Sequence, residues 1–213
     1  METMAETGAG AEYTYGDVAR IPAFRKLWLG DLASQTADRM AFVAITILVY
    51  GASASSLDVS LVIGAYFLPA VVVSVPGGVV ADRHARRTVM VAAEGARVAI
   101  VLLMALVGTE QLLFALVLAF SSLTYLFYPS RQASIPCLVP EGALLPANAA
   151  ISANLILGFA VGPAVGGAVA AVYGAEAALM VAALVMAGGV VVISSILEPV
   201  VCTPARGPEE TGW

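Results

Sequence analysis

The sequence predicts an all-α membrane protein folded as a six-transmembrane-helix bundle, and three observations carry that prediction. Of 213 residues, 60% are hydrophobic and 12% charged, with a mean hydropathy of +0.92. Soluble domains carry about a quarter charged residues, so this chain lacks the chemistry to cover itself against water. Its apolar residues gather into six segments, approximately 28–50, 59–81, 88–108, 111–128, 148–172 and 177–197. Each is close to the ~20 residues that cross ~30 Å of hydrocarbon as a helix. The bases are segregated as well. "GASASSLD", "GTEQ" and "YGAE" hold no Lys or Arg, whereas the alternate connections and the two ends hold Arg20, Arg25, Lys26, Arg83, Arg86, Arg87, Arg131 and Arg206.

Those residues are eight of the ten bases in the chain. The positive-inside rule then places both termini in the cytoplasm, with the chain a multi-pass protein of the plasma membrane. An odd number of spans would break the alternation. The start, "METMAETGAGAEYTYGD", is acidic and has neither the basic region nor the apolar core of a signal peptide. We therefore divide the chain into a cytoplasmic segment 1–26, a transmembrane domain 27–197 and a cytoplasmic tail 198–213 rich in Pro, Gly and charge.

The first span carries charge where charge is costly. Asp31, Gln35 and Asp38 follow at i, i+4 and i+7 and make one polar stripe, with Arg39 beside it. Asp38 lies about eleven residues into the span, roughly 16 Å along a helix and so close to mid-membrane. A charge there costs roughly 2.5–3.5 kcal/mol on insertion scales, and it needs a partner or a wet cavity. Two readings stay open at this point. Asp38 loads a proton or touches substrate, since burial favours the neutral carboxyl, or it only neutralises Arg39 or Arg97.

The second and third spans are joined by "GGVVADRHARRTVM", with Gly78, Asp82, Arg83, Arg86 and Arg87 in the pattern G-x-x-x-D-R-x-x-R-R. A clamp onto anionic headgroups accounts for the arginines. It accounts for neither the aspartate, which can lock a helix end by a charge-assisted hydrogen bond, nor Gly78, which permits close helix approach. In the third span Glu94 and Arg97, at i and i+3, are expected to pair and brace this bend.

The fourth span carries no charge of its own, and Arg131 is placed in the cytoplasmic loop behind it. The fifth contains "GFAVGPAVGG": Gly158, Gly162 and Gly166, continued by Ala170 and Gly174, recur every four residues. That makes a smooth stripe for close helix contact, flanked by Gly167 and with Pro163 supplying a kink. Ordinary small-residue packing gives the same spacing.

Other chemistry is excluded. Cys137 and Cys202 are the two cysteines, show no metal-ligand spacing and fall on the cytoplasmic side, so both are expected as reduced thiols. His84 is the single histidine and has no second ligand near it, which leaves no metal site. There is no nucleophile–base set and no phosphate loop, so the chain is not expected to be an enzyme or to hold a cofactor. The arginine bend is too short and too near the membrane to bind nucleic acid.

The bend resembles motif A of the major facilitator superfamily, with Ala85 where a glycine is usual. "GFAVGPAVGG" resembles motif C of the exporters in that superfamily, with Ala149 at an upstream glycine. "FRKLWLGDLASQTADRMAFVAITILVY", "YPSRQASIPCLVP" and "PANAAISAN" are similar to the first helix, the loop after the fourth and the entry to the fifth of macrolide-efflux-like drug exporters. The resemblance covers about 24–197 and only half of such a transporter. It implies the N-terminal half of a major facilitator fold acting in drug:proton antiport. Asp38 then matches an acidic position on a helix lining the central cavity, and substrate sits between two halves that rock. The implied partners are a small-molecule substrate, membrane lipid and a second six-helix unit, either a homodimer mate or a separately encoded half. The alternative is a non-transporting subunit or truncated product that packs against another membrane protein.

Overall fold

Ahead of the first long helix, Thr14 caps a short one, with its backbone N–H and hydroxyl donating to Asp17 at 3.0 and 2.7 Å. These bonds hold the Asp17 carboxyl below its ordinary range, with Arg20 adding to the effect. This α1, Tyr15–Arg20, hands over at Ile21 to Pro22, whose fixed φ suits a first helical position. The computed structural model describes residues 13–73, 85–106 and 110–196.

Six long helices follow: α2 Pro22–Ser53, α3 Ser56–Val72, α4 Arg86–Leu106, α5 Glu110–Leu138, α6 Leu144–Tyr173 and α7 Ala175–Ser194. They correspond one for one to the six expected spans. All but α3 are long and apolar enough to cross a membrane, and α3 is a shorter apolar helix of 17 residues. No strand occurs among the described residues. Two boundaries differ from expectation. α2 starts earlier, because Pro22 opens it, and α5 runs ten residues past position 128 through Pro129 and Pro136. Proline inside a membrane helix is tolerated where neighbours satisfy the surrounding backbone. Here Arg86 Nη1 donates to the Ala133 carbonyl at 2.5 Å, between the two prolines.

α2 is the axis of the bundle, packed along its length between α6 and α7. α4 lies between α5 and α7, and α3 packs on α5. Exchanging the first three long helices with the last three leaves this pattern unchanged: α2–α6 becomes α5–α3, α2–α7 becomes α5–α4, and α4–α7 maps onto itself. Such a 3+3 repeat is the internal symmetry of a major facilitator half. The axis is approached closely, because a Cβ at Gly30 would stand 2.5 Å from Ile193 Cγ1.

The interior has three layers. Met40, Ile45, Tyr66, Met104, Phe120 and Met186 belong to one apolar cluster. Phe24, Leu27, Met90, Phe127, Ile151 and Ile193 belong to another, toward the opposite ends of the same helices. Between them in sequence on α2, α4, α5 and α6 lie the buried polar side chains Asp31, Ser34, Gln35, Glu94, Arg97, Thr124 and Asn154, with Asp38 at the edge of the first cluster. The outside is apolar, with Val71, Leu145, Ile156, Val172 and Leu184 exposed, as a lipid-facing surface requires.

The expectation of two reduced thiols fails at Cys137, which is disulfide-bonded. Topology gives the compartment of a cysteine but not which sulfurs approach each other. Cys202, His84 and the tail 198–213 lie outside the described residues.

Candidate functional site

The centre of the polar layer is Arg97, fully buried on α4 and held by two carboxylates. Its Nη2 pairs with Asp38 Oδ1. Its Nη1 donates to Glu94 Oε2 at 2.8 Å and to Ser34 Oγ at 3.3 Å. The guanidinium carbon sits 4.4 Å from the ring centroid of Phe120 on α5. The other oxygen of Asp38 accepts from the Tyr66 hydroxyl of α3 at 2.5 Å, and Arg39 Nη2 stands 3.7 Å from it. One carboxylate thus ties together α2, α3 and α4. A desolvated pair of this kind contributes little net stability, yet losing one partner is costly because the other charge is stranded.

A second ion pair lies two turns nearer the start of α2. Asp31, with no exposed surface, accepts from Arg131 Nη1 at 2.7 Å and from Asn154 Nδ2 at 2.8 Å. Asn154 also donates to the Trp28 carbonyl at 2.9 Å, and Tyr128 donates to Gln35 Oε1 at 3.1 Å. These contacts join α2, α5 and α6. Beside them opens a cavity of about 510 Å³, lined among others by Gln35, Tyr125, Tyr128, Arg131, Gln132 and Asn148. That volume falls in the range of small-molecule sites, and aromatic faces with a few polar groups are their usual lining.

Comparison with known proteins agrees with this architecture. Residues 18–210 match the family model described as transmembrane secretion effector. The chain belongs to that family, within the major facilitator superfamily of membrane transporters. It is also 29% identical over 150 residues to an uncharacterized MFS-type transporter of Bacillus subtilis strain 168, YfiS. That match covers 67% of this chain and 35% of the relative. The chain therefore spans about a third of the length of the curated relative it matches.

In this major facilitator chain the motif positions fall as follows. The motif A bend is described only in part, since Gly78, Asp82 and Arg83 lie outside the described residues. Arg86 donates to the Ala133 carbonyl and, at 3.1 Å, to Cys137 Sγ near the end of α5, and Arg87 donates to the Ser194 carbonyl at the end of α7. Lys26 joins them there, donating to the Ser195 carbonyl at 2.7 Å. Cations on the last carbonyls of a helix complement its dipole. Glu94 and Arg97 do form the expected pair, and it faces Asp38 in the interior; the bend it is expected to brace lies mostly outside the described residues.

The motif C stripe packs within the chain. A Cβ at Gly158 would meet Gln35 Cβ at 3.0 Å, and one at Gly166 would meet Met40 Cα at 2.9 Å. At Gly162 it would stand 2.5 Å from Arg39 Cβ and 2.7 Å from the Thr36 carbonyl oxygen. The neighbour the stripe requires is α2, so the stripe itself makes no demand for a second unit. Gly167 faces open space, and Pro163 lies inside α6, which stays helical through it.

The stripe expected on the first span is divided by its partners. Asp31 and Asp38 go to separate ion pairs and Gln35 borders the cavity. Arg39 turns toward α6, its guanidinium 4.1 Å from the Phe159 ring centroid and its side chain 11% exposed. Tyr66, Arg131, Asn154 and Ser34 complete the site and were not singled out from sequence. Arg131, expected in a loop, lies inside α5.

Proposed function

We propose that this chain is the first bundle of a proton-coupled exporter of small organic molecules, with Asp38 as the coupling carboxylate. The observation that carries this reading is the position of Asp38. It is buried at mid-length of the axial helix and bonded at once to Arg97, Tyr66 and, more loosely, Arg39. Ionisable groups at that depth in membrane proteins mark ion and substrate pathways. Neutralising this carboxyl removes the anion that holds α3 and α4 to α2, which is how one proton can alter helix packing.

Substrate enters the cavity beside Gln35, Tyr128 and Arg131. The Asp31–Arg131 pair is neutral overall, so that cavity favours uncharged or amphipathic molecules. A second six-helix unit, on the same polypeptide or on another chain, closes the open side. The placement of Arg20, Arg25, Lys26, Arg86 and Arg87 supports an orientation with both termini in the cytoplasm, and the exporter is read as acting at the plasma membrane. The test is a proteoliposome assay with a fluorescent amphipathic dye, the chain being reconstituted together with its second unit. An imposed pH gradient should drive dye accumulation, and collapsing the gradient should end it. Accumulation indifferent to the gradient would overturn proton coupling.

A further inference from the structure

Among the described residues several buried polar atoms have no hydrogen-bond partner, Arg39 Nε, Arg131 Nε and Asn154 Oδ1 among them, and two that sit together at Arg97 are complementary. Glu94 Oε1 is an orphaned acceptor and Arg97 Nε an orphaned donor. They belong to side chains one helical turn apart that already share the 2.8 Å bond from Arg97 Nη1 to Glu94 Oε2. Carboxylate and guanidinium are shaped for two parallel bonds. The edge of the guanidinium suited to that pairing carries Nε and Nη2, and Nη2 is held by Asp38. The grip of Asp38 therefore leaves both orphans unmatched.

We propose that Arg97 is a two-position switch: it bridges Asp38 and Glu94 while Asp38 is ionised, and docks on Glu94 alone through Nε and Nη2 once Asp38 takes a proton. This rests on the reading of Asp38 as the proton-carrying group. Glu94 is then a positioning residue. It carries no proton in the cycle, but it keeps the buried guanidinium compensated in both states.

The charges around the switch support this assignment. Asp38 and Glu94 are balanced by Arg97 and Arg39, and among the described residues every other titratable side chain facing the group is a tyrosine: Tyr66 from α3 and Tyr125 and Tyr128 from α5. Glu176, in the first turn of α7, is the one acidic or basic residue of that helix and lies at its far end. When Asp38 is neutral the surplus positive charge falls on Arg39, which is partly exposed and rests on Phe159. Arg97, which is fully buried, keeps Glu94. On release from Asp38 both orphaned atoms gain partners, while Nη1 gives up its bond to Glu94 Oε2 and keeps the one to Ser34 Oγ.

Thermal unfolding of the chain in lipid nanodiscs, followed across pH, tests the switch. Asp38→Asn should track wild type, because Arg97 still has Glu94. Glu94→Gln should match wild type near neutrality and fall below it by about 10 °C as pH drops, because protonating Asp38 then strands a buried cation. The double variant should be destabilised at every pH. A Glu94→Gln curve parallel to wild type would overturn the proposal. If Glu94→Gln does not fold, the crystal structure of the Asp38→Asn variant decides: Nε and Nη2 of Arg97 should both lie within hydrogen-bond distance of Glu94, and an Arg97 still directed at position 38 overturns the switch. Failure of the coupling reading is seen separately, as pH-driven dye accumulation that survives Asp38→Asn.

Discussion

Asp31 and Arg131 stand 100 positions apart in the sequence and 2.7 Å apart in the fold, and their ion pair fastens α2 to α5 beside the cavity. Asn154 adds a third helix to the same carboxylate. Arg131→Gln leaves Asp31 buried without its counter-ion and should destabilise the bundle by about 3–5 kcal/mol. Asp31→Asn together with Arg131→Gln removes both charges and should recover much of that loss. Chemical denaturation in nanodiscs measures the two, and a double variant no more stable than the single would show that the pair is not the cause.

The glycine stripe gives a prediction about folding rather than association. Gly162→Ala forces a methyl to within 2.5 Å of Arg39 Cβ and 2.7 Å of a backbone oxygen, and should cost about 1–3 kcal/mol by overpacking. Gly167→Ala meets open space and should be close to neutral. Sedimentation of the two variants should give the same assembly state as wild type. A change in assembly with unchanged stability would move the stripe to an interface between units.

Much of this bundle was legible in the sequence, because hydropathy and base segregation act on whole segments. The six spans and the stripe of α6 are of that kind. Pairing was less legible. Asp31, Gln35 and Asp38 announce themselves by helical spacing, and Glu94 and Arg97 by i, i+3, but spacing on one helix does not say which side chain arrives from another. Arg131 is expected in a loop because the apolar run ends near position 128, yet the membrane helix continues through Pro129 where neighbours such as Arg86 satisfy its backbone. Tyr66 and Asn154 are single polar residues in apolar runs and carry no period to reveal them.

The segregation of the bases predicts the topology. In a background lacking the native cysteines, a cysteine placed at Ser55, in the turn between α2 and α3, should react with an impermeant maleimide from outside the cell. One at Thr203 should react only after the membrane is opened. The reverse pattern would invert the orientation and place Arg86, Arg87 and Lys26 on the outer face.

The central claim is that Asp38 carries the proton that drives accumulation, and Asp38→Asn in proteoliposomes tests it most directly. Asparagine keeps the shape and a hydrogen-bond acceptor for Tyr66 but cannot take up and release charge. The variant should insert normally and still exchange labelled for unlabelled dye across the membrane, while accumulation driven by a pH gradient is lost. Asp38→Asn vesicles that accumulate dye with the wild-type dependence on pH would contradict the account.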